Sequence, residues 1–327
     1  MTRPAVLVVG AGAVGQAYAL ALARAGAAVH FFIKPHHEAR LASGMPIRER
    51  GLFRMGPSTD LSALPRIHDW AEVGARAWHS IWLAVDSTAM KGDWVRELAA
   101  RRGAATVVLF QTGTSARSEL DALLPPEARV AGMIPFLAWW NPLAPGGASA
   151  DRPHMCVWHP PGMATPLSGA IDRVEAIAAL LRAGGLRARV LANATALGAM
   201  GSAVLLPAIA GLEVHDWRLT TLTRRPNLSP VIDAIVEAQG ITARLHTVRA
   251  PPAWLLQPLW IALLVRLIPT LAPLDLETYL QVHFTKVGAQ TAAALAELRA
   301  TALVQGVQAP ALARLHNALL RTRMPGP

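Results

Sequence analysis

The sequence predicts an α/β fold: a doubly wound parallel sheet in the first half and an all-α second half. Three observations carry this. An apolar run, Ala5-Val6-Leu7-Val8-Val9, leads into Gly10-Ala11-Gly12-Ala13-Val14-Gly15 and then into a helical stretch that closes at Gly26. Apolar strand-like segments alternate with helical ones as far as Leu191, the pattern of βαβ units. Beyond Asn193 the alternation stops and Ala and Leu recur at helical spacing. The domains are therefore set at residues 1–192, a dinucleotide-binding domain, and 193–327, a helical substrate or dimerisation domain.

The opening unit fixes the first ligand. In G-x-G-x-x-G between a strand and a helix, Gly10 permits the tight turn and Gly12 lets backbone N–H groups approach a diphosphate. Gly15 lets the helix lie close on the strand, and the N–H groups of Ala13 and Val14 open the helix toward the anion. This is the phosphate turn of a Rossmann domain, with a glycine turn of another α/β protein as the bland alternative. The next strand, Ala28 to Ile33, is followed by Lys34, His36, His37 and Arg40 where an NAD site would place an acid for the ribose. Cations there suit a 2′-phosphate, so NADP(H) is the expected cofactor. Glu38 is the nearest acid and is expected to pair with a neighbouring cation. The competing reading is a solvated basic loop.

Further strands are expected at 79–85, 105–110, 129–134 and 188–191, with helices at 93–102, 116–124 and 170–183. In an open parallel sheet the ligand lies beyond the carboxyl ends of the strands. Those positions hold Asp86-Ser87-Thr88, Gln111-Thr112-Gly113-Thr114 and Pro135 to Asn141. Gln111 and Thr112 are candidates for a nicotinamide ribose or a substrate oxygen, or else they cap the helix that starts near Ser115. Trp139-Trp140 with Phe136 forms either a lid on an apolar pocket or interdomain core, and core is the expectation.

Composition narrows the classes of function. The chain has 327 residues, a formal net charge of +10 and one cysteine, Cys156. One cysteine excludes an internal disulfide framework and a cysteine-based zinc site, and it suits a reducing, cytoplasmic compartment. The basic residues are dispersed, with no run that would make a nucleic-acid arm. His36-His37 lacks carboxylate support, so no metal site is expected, and no G-x-S-x-G elbow supports a serine hydrolase. The apolar N-terminus has its glycines placed for a phosphate turn, which argues against an export signal. The apolar run from Trp254 to Leu274 contains Pro258, Arg266 and Pro269, which argue against a membrane span. It is expected as a buried helix, and it is also the segment that would serve a homodimer.

This arrangement resembles the ketopantoate reductases, which join an N-terminal Rossmann domain to a helical domain and use NADPH to reduce a 2-keto acid. The likeness rests on Gly10 to Gly15 with Val14 and Tyr18, on Lys34, on the Gln111-Thr112-Gly113 turn, and on Gln305-Gly306-Val307-Gln308-Ala309-Pro310. The resemblance also implies a proton-donating lysine, an asparagine four residues on and a later glutamate. Alignment on Leu205-Leu206-Pro207-Ala208 places Gly198 and Ser202 at the first two positions, and counting back from Gly306 places Gln290 at the third. Asp86 stands where the family has a lysine after the fourth strand. A replacement is offered by His283, Lys286 and Gln290, spaced i, i+3 and i+7 on one expected helix face. Lys286 or His283 would supply the proton to a carbonyl or imine, with Gln290 and Gln111 orienting the substrate. Otherwise Lys286 reaches solvent and His283 is a hydrogen-bonded histidine beside the core. Trp139, Trp140, Trp158, Trp217, Trp254 and Trp260 suggest a bulky apolar small-molecule substrate. Arg218, Arg224 and Arg225 are carboxylate anchors or solvated surface. The alternative function is a nucleotide-binding sensor without turnover.

Overall fold

The computed structural model describes residues 3–42, 44–111, 113–143 and 153–324. Strand β1 (Ala5–Val9) is apolar throughout because it lies inside a sheet covered on both faces. Its side chains alternate between two cores: Val6 and Val8 enter one, Leu7 and Val9 the other. Helix α1 (Ala13–Arg24) returns the chain to β2 (Ala28–Phe32), parallel to β1. After the short helix α2 (Glu38–Leu41) come β3 (Pro46–Arg50), β4 (Met55–Asp60), β5 (Arg66–Ile67) and helix α3 (Trp70–Gly74). Then β6 (Ser80–Leu83), α4 (Trp94–Arg101), β7 (Thr106–Leu109), α5 (Thr114–Leu123) and β8 (Arg129–Gly132) continue the winding. The first unit is completed by β9 (Leu137–Asn141), β10 (His154–Trp158), β11 (Thr165–Gly169), α6 (Ile171–Ala183) and β12 (Ala188–Val190).

The large sheet runs β12-β11-β8-β7-β6-β1-β2-β5. It is parallel from β5 to β8, and β11 and β12 run the opposite way because β11 pairs antiparallel with β8. One core packs α1, α6 and a second sheet against it, and the other packs α3, α4 and α5. That second sheet, β4-β3-β10-β9, is absent from the sequence expectation. In it, residues 137–141 form a strand where a strand-end loop was expected. Trp139 is buried there and Trp140 is 42% exposed, so of the pair only Trp139 is packed away from solvent.

The chain divides between Thr195 and Ala196, inside the first turn of α7 (Ala194–Val214). The second unit continues with α8 (Leu219–Leu222), α9 (Arg225–Leu245), α10 (Pro258–Leu271), α11 (Leu276–Lys286), α12 (Gly288–Val304) and α13 (Pro310–Arg323). Its core joins Ala203, Ala210 and Leu212 of α7 to Leu228, Ile232 and Ile235 of α9 and Leu312 and Leu319 of α13. Helix α7 is long and apolar enough to cross a membrane by composition, yet much of it is buried in the protein. Gly306, at φ +67, ends α12, and Pro310 opens α13. The α13 N-terminus is capped by Glu237 of α9, whose carboxylate accepts from the Ala311 and Leu312 N–H groups at 3.0 and 2.7 Å. That pairing satisfies the helix end and favours negative charge there.

The expectation of a buried helix between Trp254 and Leu274 is corrected. No residue of α10 is buried. Ile261, Ala262 and Val265 lean on the unit's core, while the opposite side carries leucines and Trp260 into solvent. Hydropathy cannot separate these cases, since a helix apolar all round looks the same whether protein covers one side or both.

Candidate nucleotide and proton-transfer sites

The carboxyl ends of β1, β2, β6 and β7 gather the first candidate site, at the point where the winding of the sheet reverses beside β1. Gly10, at φ +99, donates its N–H to the Phe32 carbonyl at 3.0 Å, and a Cβ there would lie 2.8 Å from the Ala84 carbonyl oxygen. A Cβ on Gly15 would overlap the Gly10 carbonyl oxygen, so this helix can approach the turn only with glycine there. Gly12 differs: nothing lies within 4 Å of where its Cβ would project. Its backbone is extended and serves as the α1 N-cap without a side-chain cap.

The first intrahelical bond of α1 runs from the Gln16 N–H to the Gly12 carbonyl at 2.9 Å, so the N–H groups of Ala13, Val14 and Gly15 point out of the helix end. The first turn holds no acid. Gln16 steadies the loop by donating from Nε2 to the Ala11 carbonyl at 2.9 Å. Open space at Gly12, outward N–H groups and no nearby acid in the helix fit a diphosphate. Tyr18, part of the resemblance, is core: it is fully buried and stacks on Phe110 at 4.5 Å.

Lys34 follows β2 and is exposed, as are His36 and His37. Glu38 turns toward β5, where Arg66 Nε lies 3.2 Å and His68 Nε2 3.4 Å from its carboxylate oxygens. The acid is thus committed to its own neighbours, as expected. Arg40 lies on α2, its side chain outside the described atoms, and Thr112 lies outside the described residues.

Asp86, beyond β6, accepts from the Thr88 hydroxyl at 2.6 Å and the Ala89 N–H at 2.8 Å. Burial would raise its pKa, but these hydrogen bonds and the Lys34 charge outweigh that and hold the carboxyl below its usual value. Gln111 is occupied: Nε2 donates to the Leu83 and Val85 carbonyls at 3.1 and 2.7 Å, and Oε1 accepts from the Phe110 N–H. Its amide ties the ends of β6 and β7 together, which accounts for a glutamine at this turn without a ligand. No group of three or more His, Cys, Asp or Glu is placed to hold a metal among the described residues.

In the second unit, His283 and Lys286 share the last turns of α11, three residues apart on one face. The single face expected to include Gln290 is not formed. Helix α11 stops at Lys286, Val287 leaves helical geometry at ψ 20°, and Gln290 belongs to the first turn of α12. His283 stacks on Tyr279 and meets Phe284 edge-on. Desolvation against these rings, followed by the Lys286 charge, pushes its pKa below the usual histidine value, although the residue as a whole is exposed. Gly198 and Ser202 lie on α7. Arg218 is largely exposed and pairs with Glu277 at 3.5 Å.

Residues 6–141 match the family model described as ketopantoate reductase PanE/ApbA. No curated protein sequence matches the chain. A PanE/ApbA family ketopantoate reductase from Ralstonia eutropha JMP134 superposes with a TM-score of 0.69 at 18% identity, over 97% of this chain and 98% of that one. A 2-dehydropantoate 2-reductase from Geobacter metallireducens GS-15 gives 0.71 at 15% identity, over 97% and 99%. A ternary structure of D-mandelate dehydrogenase with NADH and anilino(oxo)acetate gives 0.71 at 15% identity, over 97% of each chain. Likeness at these identities speaks to the fold, and the family match covers the first unit's ligand-facing strand ends. Residues 6–141 therefore resemble the ketopantoate reductase PanE/ApbA family model, and the chain as a whole carries the fold of these solved structures.

Proposed function

We propose that the protein is an NADP(H)-dependent reductase or dehydrogenase acting on a carbonyl or imine of an apolar small molecule. The observation that carries this is the open N-terminus of α1 over Gly12, with Lys34 exposed beyond the neighbouring strand and Glu38 tied to Arg66 and His68. Ala13, Val14 and Gly15 would hold a diphosphate through their N–H groups. Lys34 would favour a 2′-phosphate, since no carboxylate at that strand end is left for a ribose hydroxyl. A nicotinamide cofactor held there would supply the hydride.

The proton is assigned to the α11 pair. Packing and the Lys286 charge lower the His283 pKa, so Lys286 is assigned as the proton donor in the reducing direction. Neutral His283 is the acceptor in the oxidising direction. Exposed Trp140 and half-buried Trp158 and Trp217 are apolar surfaces in keeping with an apolar substrate.

The test is NADPH oxidation against 2-keto acids, apolar ketones and imines, with wild type, Lys286→Ala and His283→Ala. Loss of a general acid lowers turnover by about 100-fold or more. Unaltered turnover in both variants removes the pair from the mechanism. Titration with NADPH and NADH tests the cofactor assignment separately, and a preference for NADH would overturn it.

A further inference from the structure

We infer that helix α10 is a self-association surface, on which two copies of this chain pair α10 against α10. Leu259, Trp260, Leu263, Leu264, Leu267, Ile268 and Leu271 are each between 39% and 76% exposed. Together they present roughly 800 Å² of apolar surface, where the largest patch on a typical monomer is about 300–600 Å². A standard interface buries roughly 800 Å² per partner, so this one face suffices for a stable dimer.

The spacing on the helix specifies another helix as the occupant. Trp260, Leu264, Leu267 and Leu271 follow one another at intervals of four, three and four, the seam along which two helices interlock at a shallow crossing angle. A twofold axis through such a seam makes it complementary to itself. Arg266, the charged residue of α10, donates from Nε to the Thr223 hydroxyl of its own unit at 3.1 Å, which draws the guanidinium toward α8. A lipid surface fits less well. The 14 residues of α10 are too few to span a bilayer, and α11 turns away from it by 98° with Asp275 and Glu277 at the junction. Those acids would meet anionic headgroups unfavourably, and a lipid surface has no need of a 4-3-4 seam.

Sedimentation velocity of the full chain at micromolar concentration tests the inference, beside Leu264→Glu/Leu267→Glu. Both positions are already about half exposed, so the fold should tolerate the change, which circular dichroism and thermal melting check. The expected result is a dimer for wild type and a monomer for the double variant, with the dissociation constant raised at least about 100-fold. A wild type that is monomeric throughout, or a double variant that is as dimeric as wild type, overturns it. So does a monomeric wild type that co-sediments with phosphatidylglycerol vesicles, which would assign the face to lipid instead.

Discussion

Two alanine substitutions in one glycine motif should fail in opposite ways. At Gly15 the added Cβ would overlap the Gly10 carbonyl oxygen and lie 3.3 Å from the Ala84 Cβ. Neither neighbour can swing aside as a long side chain would, because one is backbone and the other lies just beyond a central strand. Overpacking of this kind costs about 1–3 kcal/mol. A kilocalorie corresponds to roughly 2–4 °C in a domain of this size, so Gly15→Ala should melt roughly 2–12 °C lower. At Gly12 the backbone lies at φ −74° and ψ −172°, which any residue adopts, and the Cβ meets nothing within 4 Å. Loss of a glycine N-cap should cost well under about 1 kcal/mol. Gly12→Ala should therefore fold and melt like wild type.

The same methyl would occupy the space that a diphosphate needs to reach the N–H groups of α1. A loss of at least about tenfold in NADPH affinity is expected, corresponding to about 1.4 kcal/mol. Calorimetric titration gives the affinity, and melting with and without nucleotide gives the stability on the same samples. Wild-type affinity in a well-folded Gly12→Ala variant would refute the reasoning, because the open space would then have nothing to do with the ligand. A Gly15→Ala protein as stable as wild type would show that the helix can move off the turn at little cost.

Lys34→Ala should weaken NADPH binding by about 10–100-fold, the value of one charge-assisted contact, and leave NADH nearly unchanged. Asp86→Asn, which removes the carboxylate that interacts with Lys34, should shift the preference further toward NADPH; fluorescence titration reads both ratios, and equal effects on the two nucleotides would count against a 2′-phosphate contact. Stability should fall as pH drops below about 6.5, because His30, His79, His159, His215, His283 and His316 all have lowered folded-state pKa values. In that window the unfolded chain binds more protons than the folded one, so stability falls as these histidines take up protons. Asp60, Asp86 and Asp275, also lowered, add a second loss below about pH 4, and urea midpoints that stay flat from pH 7 to 5 would contradict the histidine contribution. Arg323→Leu breaks a bidentate pair with Glu213, 2.6 Å on both arms, and should destabilise by about 1–3 kcal/mol because Glu213 is only 13% exposed and loses its partner; an unchanged denaturation midpoint would assign the pair no structural role.

The parts of the fold legible in the sequence are those where burial on both faces left an unbroken apolar run. Strands β1, β2, β6 and β7 are of this kind, and each strand end could then be inspected for ligand-facing groups. The second sheet was not legible, for a physical reason. Strand β4, Met55-Gly-Pro-Ser-Thr-Asp, has neither an apolar run nor alternation, and β3 offers one fully buried side chain, Ile47. Strand β3 is held by pairing to β10, far away in sequence, and β4 by pairing to β3, so the sheet depends on a contact that short-range patterns do not record. Strand β9 was hidden by the prolines that flank it, Pro135 and Pro142.

The candidate proton-transfer residues show the same limit at finer scale. The stretch from Leu276 to Val304 is helical by composition, and an ideal helix would carry His283, Lys286 and Gln290 on one side. Val287-Gly288 was the local signal of a break, a β-branched residue followed by glycine, but sequence alone cannot separate that from a tolerated glycine inside a helix. The cause lies 35 residues downstream. Arg323 donates to the Gly288 carbonyl at 2.8 Å while gripping Glu213 of α7, and its guanidinium would lie 3.2 Å from a Cβ at position 288. Glycine is therefore suited to the first position of α12 because an arginine from α13 packs there. His283 and Lys286 stay together on the end of α11, where the Lys286 charge helps to lower the His283 pKa, and Gln290 falls to a separate helix. A role for Gln290 in orienting a substrate has no support from shared helical phase, whereas coupling between His283 and Lys286 does: Lys286→Met should raise the His283 pKa toward its usual value, measurable from its imidazole NMR shifts, and an unmoved titration would separate the two.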